Sequence, residues 1–185
     1  MHVMRKSPTT ISITSDLLTS SLAIDEKRAP FSPTLWSLPP TNTKTLLKQV
    51  WFPGVHASSG AGDRNHGLSN ITIAWMAQQI TQYTSLELNM QYLRNMRERG
   101  ENSLGQPWAC APWENSYKGI YHFSGAAKRK PGSYGKYFPE GNVTNEFIHR
   151  SVYERMNNKE ANYSPPDLSH LKEDEFGDVE EKLRW

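Results

Sequence analysis

The stretch that decides the fold is residues 46–80, LLKQVWFPGVHASSGAGDRNHGLSNITIAWMAQQI. Its first part, Leu46–Phe52, is short and apolar and is stopped by a Pro-Gly pair, which predicts a buried strand. A glycine-containing loop is predicted from Pro53 to Asn65. In Leu68–Ile80 apolar residues recur at helical spacing over a wide arc, which predicts a helix buried on more than one side. This strand, loop and helix predict the α/β fold class.

A histidine lies in this unit at a position typical of catalytic groups. His56 follows the predicted strand by four residues, and in open α/β sheets ligands bind beyond the carboxyl ends of the strands. Its ability to exchange a proton near neutral pH is a property of every histidine. A single histidine near a strand end is more often structural than catalytic. His56 is therefore a candidate whose role depends on the sequence around it.

Length and composition restrict the possible functions. The 185 residues are enough for one domain, and a formal charge of +2 with mixed signs predicts no nucleic-acid partner. The single cysteine, Cys110, excludes an internal disulfide and a cysteine-based metal cluster. We predict no transmembrane segment, because no apolar run approaches about 18 residues. The start of the chain has no apolar signal region, so we expect an intracellular location.

Metal and cofactor sites are not predicted either. His56, Asp63 and His66 have a spacing that matches no standard zinc pattern. The glycines around them miss the dinucleotide-binding spacing. We therefore predict neither a metal nor a cofactor.

A second helix is predicted within residues 83–99, ended by the segment that begins at Gly100.

Three segments of the chain resemble one known family. WFPGVHASSGAG at 51–62, followed by LSNITIAWM at 68–76, resembles a signature of the type VI secretion phospholipase effector-like catalytic domain. This is an α/β-hydrolase family with many fungal members. LAIDEKRAPFSPTLW at 22–36 resembles the element that precedes the signature, and residues 113–156 resemble the tail of the domain. The chain is thus similar to the C-terminal part of a fungal-type member.

The resemblance implies a fold and a division of the chain. It implies the C-terminal portion of an α/β-hydrolase-like domain over residues 22–156, with an incomplete sheet, helices and long loops. Residues 1–21 are predicted to be a polar N-terminal segment. Residues 157–185 are predicted to be a polar and then acidic tail. His149, in the third segment, is expected to be structural.

By the same resemblance, His56 completes a Ser-Asp-His triad, and its ring should then be partly exposed. The nucleophilic serine of such a hydrolase lies in a G-x-S-x-G turn, and no serine of the chain has that frame. Asp16 is the only aspartate before Leu22, and it lacks the D-T-V context typical of the family. The sequence also departs from the family pattern at three further positions: Ser20, Ser58 and Ala61.

These absences lead to two alternatives. The first is a fragment or degenerate member of a lipid or ester hydrolase family, inactive by itself. It would act on a lipid or ester substrate only if a missing N-terminal part or a complementing chain supplied the serine and the aspartate. The second is a non-catalytic binding module built on the remnant fold.

Overall fold

The computed structural model describes residues 3–5, 16–59, 66–113, 117, 119, 125–166 and 168–174. The strands are β1 Val3–Arg5, β2 Asp16–Ala23, β3 Thr45–Phe52, β4 Leu86–Leu88, β5 Glu146–Ile148 and β6 Lys172–Glu173. The helices are α1 His56–Ser59, α2 Gly67–Tyr83, α3 Met90–Leu104 and α4 Ser151–Asn157. None of the helices in this part of the chain is both long enough and apolar enough to cross a membrane.

Four parallel strands form the main sheet, in the order β2-β3-β5-β6. β2 and β3 pair along their whole length, from Asp16 opposite Thr45 to Ala23 opposite Phe52. Among the described residues, β2 has a strand neighbour on one side only. The predicted α/β fold with an incomplete sheet is therefore confirmed.

β3 is the centre of the core, as its composition predicted. Its residues alternate between the two faces of the sheet. On one face Trp51 packs in a cluster with Ile148 and Val152, and on the other Val50 and Phe52 pack with Trp75 of α2. These side chains are at most 1% exposed. The observed strand extends the predicted one by a single residue at its amino end.

Helix α2 contains the whole of the predicted Leu68–Ile80 helix and extends it at both ends. The helix is buried over a wide arc, but the side chains that are buried are not all apolar. Ile73 is 38% exposed, whereas Gln79 is fully buried. An apolar arc this wide predicts burial without indicating which side faces the sheet.

Two local predictions were wrong. The loop predicted after β3 begins with the one-turn helix α1, and its residues 60–65 lie outside the described part of the chain. The second helix, predicted within 83–99, runs from 90 to 104 and is preceded by β4, which pairs antiparallel with β1. Gly100 lies inside this helix and does not end it. The position requires glycine, because a Cβ there would lie 2.5 Å from Nε1 of Trp108. The helix ends at Gly105, whose φ of 66° suits a left-handed cap.

The element β2 crosses the predicted boundary between residues 21 and 22. Its eight residues were not predicted as a strand, because Thr19, Ser20 and Ser21 interrupt the apolar pattern. The proposed division into an N-terminal segment, a domain and a tail stays a prediction.

A buried ion pair links the segment after β6, at one edge of the described sheet, to β3 at its centre. Lys48 of β3 and Asp174, directly after β6, lie 2.8 Å apart between Nζ and Oδ1, and both side chains are nearly inaccessible. The other carboxylate oxygen of Asp174 accepts a hydrogen bond from Nε1 of Trp75 at 2.9 Å. Both oxygens of the buried carboxylate are thus satisfied, as burial of a charge requires.

Candidate active site

Two carboxylates hold the histidine loop in place. Asp25 and Glu26 lie two and three residues after β2, just as Gly54 and His56 lie two and four residues after the neighbouring strand β3. Asp25 accepts a hydrogen bond from the backbone N–H of Gly54 at 2.7 Å. Glu26 accepts one from the backbone N–H of His56 at 3.1 Å. Asp25 and Glu26, which follow β2, therefore fix the position of the loop that follows β3.

Glu26 is itself held by Arg28. The side chain of Arg28 donates from Nε at 3.0 Å and from Nη2 at 2.8 Å, and its backbone N–H donates at 2.8 Å. Burial by itself would raise the pKa of Glu26, but the Arg28 side chain and the backbone N–H groups of Arg28 and His56 outweigh burial and lower it to about 2. Glu26 is only 1% exposed and is a buried anion with a buried partner.

The pKa of Asp25 is shifted in the opposite direction to that of Glu26. Burial raises the pKa of Asp25, and the hydrogen bonds from Gly54 and Tyr163 lower it by less. The Tyr163 hydroxyl donates to the same oxygen as Gly54, at 3.0 Å. Burial, together with the neighbouring carboxylate of Asp25, raises the pKa of the Tyr163 hydroxyl. Tyr163 therefore stays protonated and remains a donor.

Gly54 gives the loop its turn. Its φ is +102°, in the region that favours glycine. A Cβ at this position would lie 2.8 Å from Cβ of Ser58 and 2.9 Å from Cδ1 of Leu68. The loop can therefore fold back tightly against α1 and the start of α2 only because this residue has no side chain.

The side chain of His56 is exposed, as the sequence predicted. Its ring lies against Phe31, with the ring centroids 5.0 Å apart. The guanidinium of Arg28 lies 3.8 Å from the centroid of the same phenyl ring. No residue in the described ranges forms a hydrogen bond with either ring nitrogen of His56. The ring is thus supported by an aromatic contact and free to meet a partner from outside these ranges.

His56 lies at a cleft of about 430 Å³. Residues 20–23 of β2 and the turn 30–34 form two of its walls, and Glu26, His56 and Arg129 complete the lining. This volume lies in the range of small-molecule sites. The cleft lies beside β2, whose Thr19 and Ser20 hydroxyl groups are buried without a hydrogen-bond partner among the described residues.

Arg129 is the residue of this site that the sequence did not single out. It lies between Lys128 and Lys130, a run typical of a solvated loop, yet it is only 5% exposed. Its Nη2 donates to the backbone oxygens of Arg28 and Phe31. Burial lowers the pKa of Arg129, while Tyr134 and Glu26 raise it. The available signal was the R-x-P-G-x-Y element of residues 129–134, which resembles the family tail.

No carboxylate in the described part of the chain serves as the acid partner of His56. The hydrogen bonds of Asp25 and Glu26 given above go to backbone N–H groups, to Tyr163 and to Arg28. Asp16 begins β2, so it lies at the opposite end of the strand from the cleft, about 23 Å along it at roughly 3.3 Å per residue. The structure therefore does not bring Asp16 to His56.

The other candidates have local roles. His149 is 4% exposed and accepts a hydrogen bond at Nδ1 from the backbone N–H of Ser151, at 3.2 Å. It also stacks on Phe52, with the ring centroids 4.5 Å apart, which agrees with the structural role expected of it. Cys110 is buried, and burial raises the pKa of its thiol. His66 directly precedes α2, and Asp63 lies outside the described residues.

Comparison with known proteins supports the resemblance. The family model described as T6SS, Phospholipase effector Tle1-like, catalytic domain matches residues 4–79. This range includes β2, the acidic pair, β3, His56 and most of α2, and it ends before the third resembling segment. No curated protein and no solved structure matches the chain. Residues 4–79, with the histidine loop and the two strands that hold it, are thus similar to the T6SS phospholipase effector Tle1-like catalytic domain, which supports assigning the chain to that family.

Proposed function

We propose that this chain forms the histidine-bearing part of a lipid or ester hydrolase, with His56 as the base of a Ser-Asp-His triad. The observation that carries the proposal is the exposed imidazole at the cleft, on a loop whose backbone Glu26 holds. The family match supports a lipid hydrolase-like activity. The serine and the aspartate come from another segment or from a complementing chain.

The geometry defines what His56 would do. In a triad the imidazole takes the proton of the serine hydroxyl as that oxygen attacks the ester carbonyl, and then gives it to the leaving alcohol. Phe31 packs on the imidazole and restricts its orientation. Arg28 and Glu26 fix the backbone, so the ring keeps its position while the proton moves.

Two observations support the need for a second component. The sequence contains no G-x-S-x-G turn. Within the described ranges, no acid contacts the His56 ring. A complementing strand would pair with the edge of β2 that has no strand neighbour among the described residues. This edge lies next to the cleft and to the Thr19 and Ser20 hydroxyl groups, which meet no hydrogen-bond partner in the same ranges. We infer that the isolated chain is inactive.

The proposal is tested by measuring hydrolysis of a short-chain nitrophenyl ester and of a short-chain phospholipid. The isolated chain should give no turnover above that of its His56→Ala variant. A complemented enzyme, with the serine and aspartate supplied, should lose roughly four orders of magnitude in turnover on His56→Ala. His66→Asn is the control, because asparagine tolerates the left-handed backbone of His66 and this residue does not line the cleft.

Two results would contradict the proposal. Turnover by the isolated chain that His56→Ala abolishes would show that the triad is complete without a second component. Turnover by the complemented enzyme that survives His56→Ala would remove the histidine from the mechanism.

The lack of an acid partner also favours a second candidate function, a non-catalytic binding module. In that case the cleft would bind its ligand, and a complemented enzyme would show no turnover with any ester. Retained ligand binding together with absent hydrolysis would identify this alternative.

A further inference from the structure

Arg129 is a buried cation without a carboxylate partner in the described part of the chain. It forms none of the ion pairs seen there, and its Nη2 donates only to backbone oxygens. Its Nε and Nη1 donors meet no acceptor among the described residues. A guanidinium has five N–H donors in a planar fork, so most of this capacity is unused. The same side chain lines the cleft beside His56.

Glu26, the acidic residue that lines the cleft, raises the pKa of Arg129 but forms no ion pair with it. Oε1 of Glu26 accepts from the backbone N–H and Nε of Arg28, and Oε2 accepts from Nη2 of Arg28 and the backbone N–H of His56. Both oxygens are thus occupied, and the charge of Glu26 is paired with Arg28. Arg129 therefore forms no ion pair among the described residues, although Glu26 raises its pKa, and a buried charge without an ion-pair partner costs free energy.

The segments around Arg129 strengthen the positive potential. Residues 25–28 and 126–130 lie side by side, because Arg28 bridges to Ala126 and the N–H of Ala127 donates to the oxygen of Lys27 at 2.8 Å. Together they carry five cationic side chains and two carboxylates. The three lysines are exposed, whereas Arg129 is buried at the cleft. These charges give the cleft a net positive electrostatic potential, and Arg129 is the buried cation that an anion would contact there.

We propose that the cleft beside His56 binds a phosphate group, with Arg129 as the residue that holds it. The planar fork of a guanidinium matches two oxygens of a phosphate, and a charge-assisted contact of this kind is among the strong hydrogen bonds. The inference rests on the proposed function for the identity of the site and adds a residue that selects the substrate. The phosphate is that of a lipid headgroup or a free phosphate, since both present the same oxygens.

The test is equilibrium binding, which requires no turnover. Calorimetry on the full chain compares three ligands: inorganic phosphate, dihexanoylphosphatidylcholine below its micelle concentration, and dihexanoylglycerol, which has the same acyl chains and no phosphate. We expect a phosphate-bearing ligand to bind and dihexanoylglycerol to bind at least tenfold more weakly. Binding of phosphatidylcholine alone indicates a lipid headgroup, and binding of inorganic phosphate alone indicates a free phosphate.

Variants assign the binding to Arg129. Arg129→Gln should weaken binding of the phosphate-bearing ligand by roughly ten- to a hundredfold, the range for losing a charged hydrogen bond. Lys130→Gln is the matched control, because it removes the same charge from the adjacent exposed residue, and we expect less than about a twofold change. His56→Ala should retain the phosphate contact, so binding and hydrolysis can fail independently.

A second variant covers the case in which Arg129→Gln does not fold. Thr34→Asp leaves Arg129 in place and adds a carboxylate to the exposed part of the cleft lining. It should also weaken binding of the phosphate-bearing ligand at least tenfold. The proposal is overturned if neither phosphate-bearing ligand binds, if dihexanoylglycerol binds equally well, or if Lys130→Gln reduces binding as much as the cleft variants.

Discussion

Glu26 acts on the site through the backbone of the histidine loop, not through the imidazole ring. Its carboxylate accepts the N–H of His56 and three donors of Arg28, all inside the protein. Asp25 does the same for Gly54, two residues earlier in the loop. Asp25 and Glu26 thus fix the position of the exposed histidine through hydrogen bonds to its loop.

The pKa of Glu26 gives a prediction for acid stability. Its folded value of about 2 lies below the ordinary value of 4.5, so its contribution to stability is present above pH 4.5 and is lost as the pH falls towards 2. We expect the free energy of unfolding of the wild type to fall more steeply across this window than that of Glu26→Gln. Urea denaturation at a series of pH values measures both slopes.

The control for this experiment is Glu140→Gln, which removes an exposed carboxylate. It should leave the slope of the wild type unchanged. Asp25 titrates with the opposite sign, because burial raises its pKa, but it is present in all three proteins and cancels in the comparison. Equal slopes for wild type and Glu26→Gln would contradict the assigned role of the Arg28 pair.

At the scale of elements, the junction between β3 and α1 depends on Gly54. Gly54→Ala should lower the free energy of unfolding by about 2–4 kcal/mol, from the positive φ and the crowding against Ser58 and Leu68 together. Gly105→Ala is the matched control, since Gly105 also has a positive φ but has nothing within 4 Å of the added Cβ. It should lose only about 1–2 kcal/mol.

Chemical denaturation of the two variants separates backbone strain from crowding. The difference between Gly54→Ala and Gly105→Ala measures the crowding at the histidine loop. If the two variants were equally destabilised, the close packing of the loop against α1 and α2 would have no energetic weight.

Elements with a strong local signal could be predicted from the sequence. β3 was predicted within one residue because a short apolar run stopped by Pro-Gly has few other interpretations. β4 could not be predicted, since it exists only through its pairing with β1, more than eighty residues earlier in the chain. Gly100 indicated the end of a helix, but its actual role is to let Trp108 approach. Secondary-structure propensity contains no information on contacts between residues that are far apart in the chain or that depend on tertiary packing.

The residues of the site also differ in how far the sequence could predict their role. His56 could be proposed because it follows a recognisable strand, within a segment that resembles a family signature. Arg129 could not, because its burial depends on a carbonyl of Phe31 almost one hundred residues away. In the sequence it lies between two lysines that the structure leaves exposed. A charge run of this kind is indistinguishable from a solvated loop until the fold is known.

At the scale of the whole molecule, the open edge of β2 is the main unsatisfied feature of the described sheet. Its backbone groups on that side have no strand partner there, and Leu18 of the same strand is 36% exposed. Such edges promote association between chains. We predict that the isolated chain self-associates as its concentration rises and that Leu18→Lys increases the monomer fraction.

Size-exclusion chromatography with light scattering over a range of concentrations measures this effect. Ile73→Lys is the matched control, because Ile73 has nearly the same exposure, 38%, but lies on α2. It should change the monomer fraction much less than Leu18→Lys does. A wild type that stays monomeric at high concentration would show that the β2 edge is protected.

The ion pair between Lys48 and Asp174 has a consequence for how the protein is made. The two residues are 126 positions apart in the chain. On the ribosome, β2, β3 and α2 are synthesised long before residue 174 emerges. Until then the ion pair with Asp174 cannot form, and the ammonium of Lys48 lacks this stabilising contact. We therefore expect the packing around Lys48 at the centre of this sheet to be completed only after residue 174 has been synthesised.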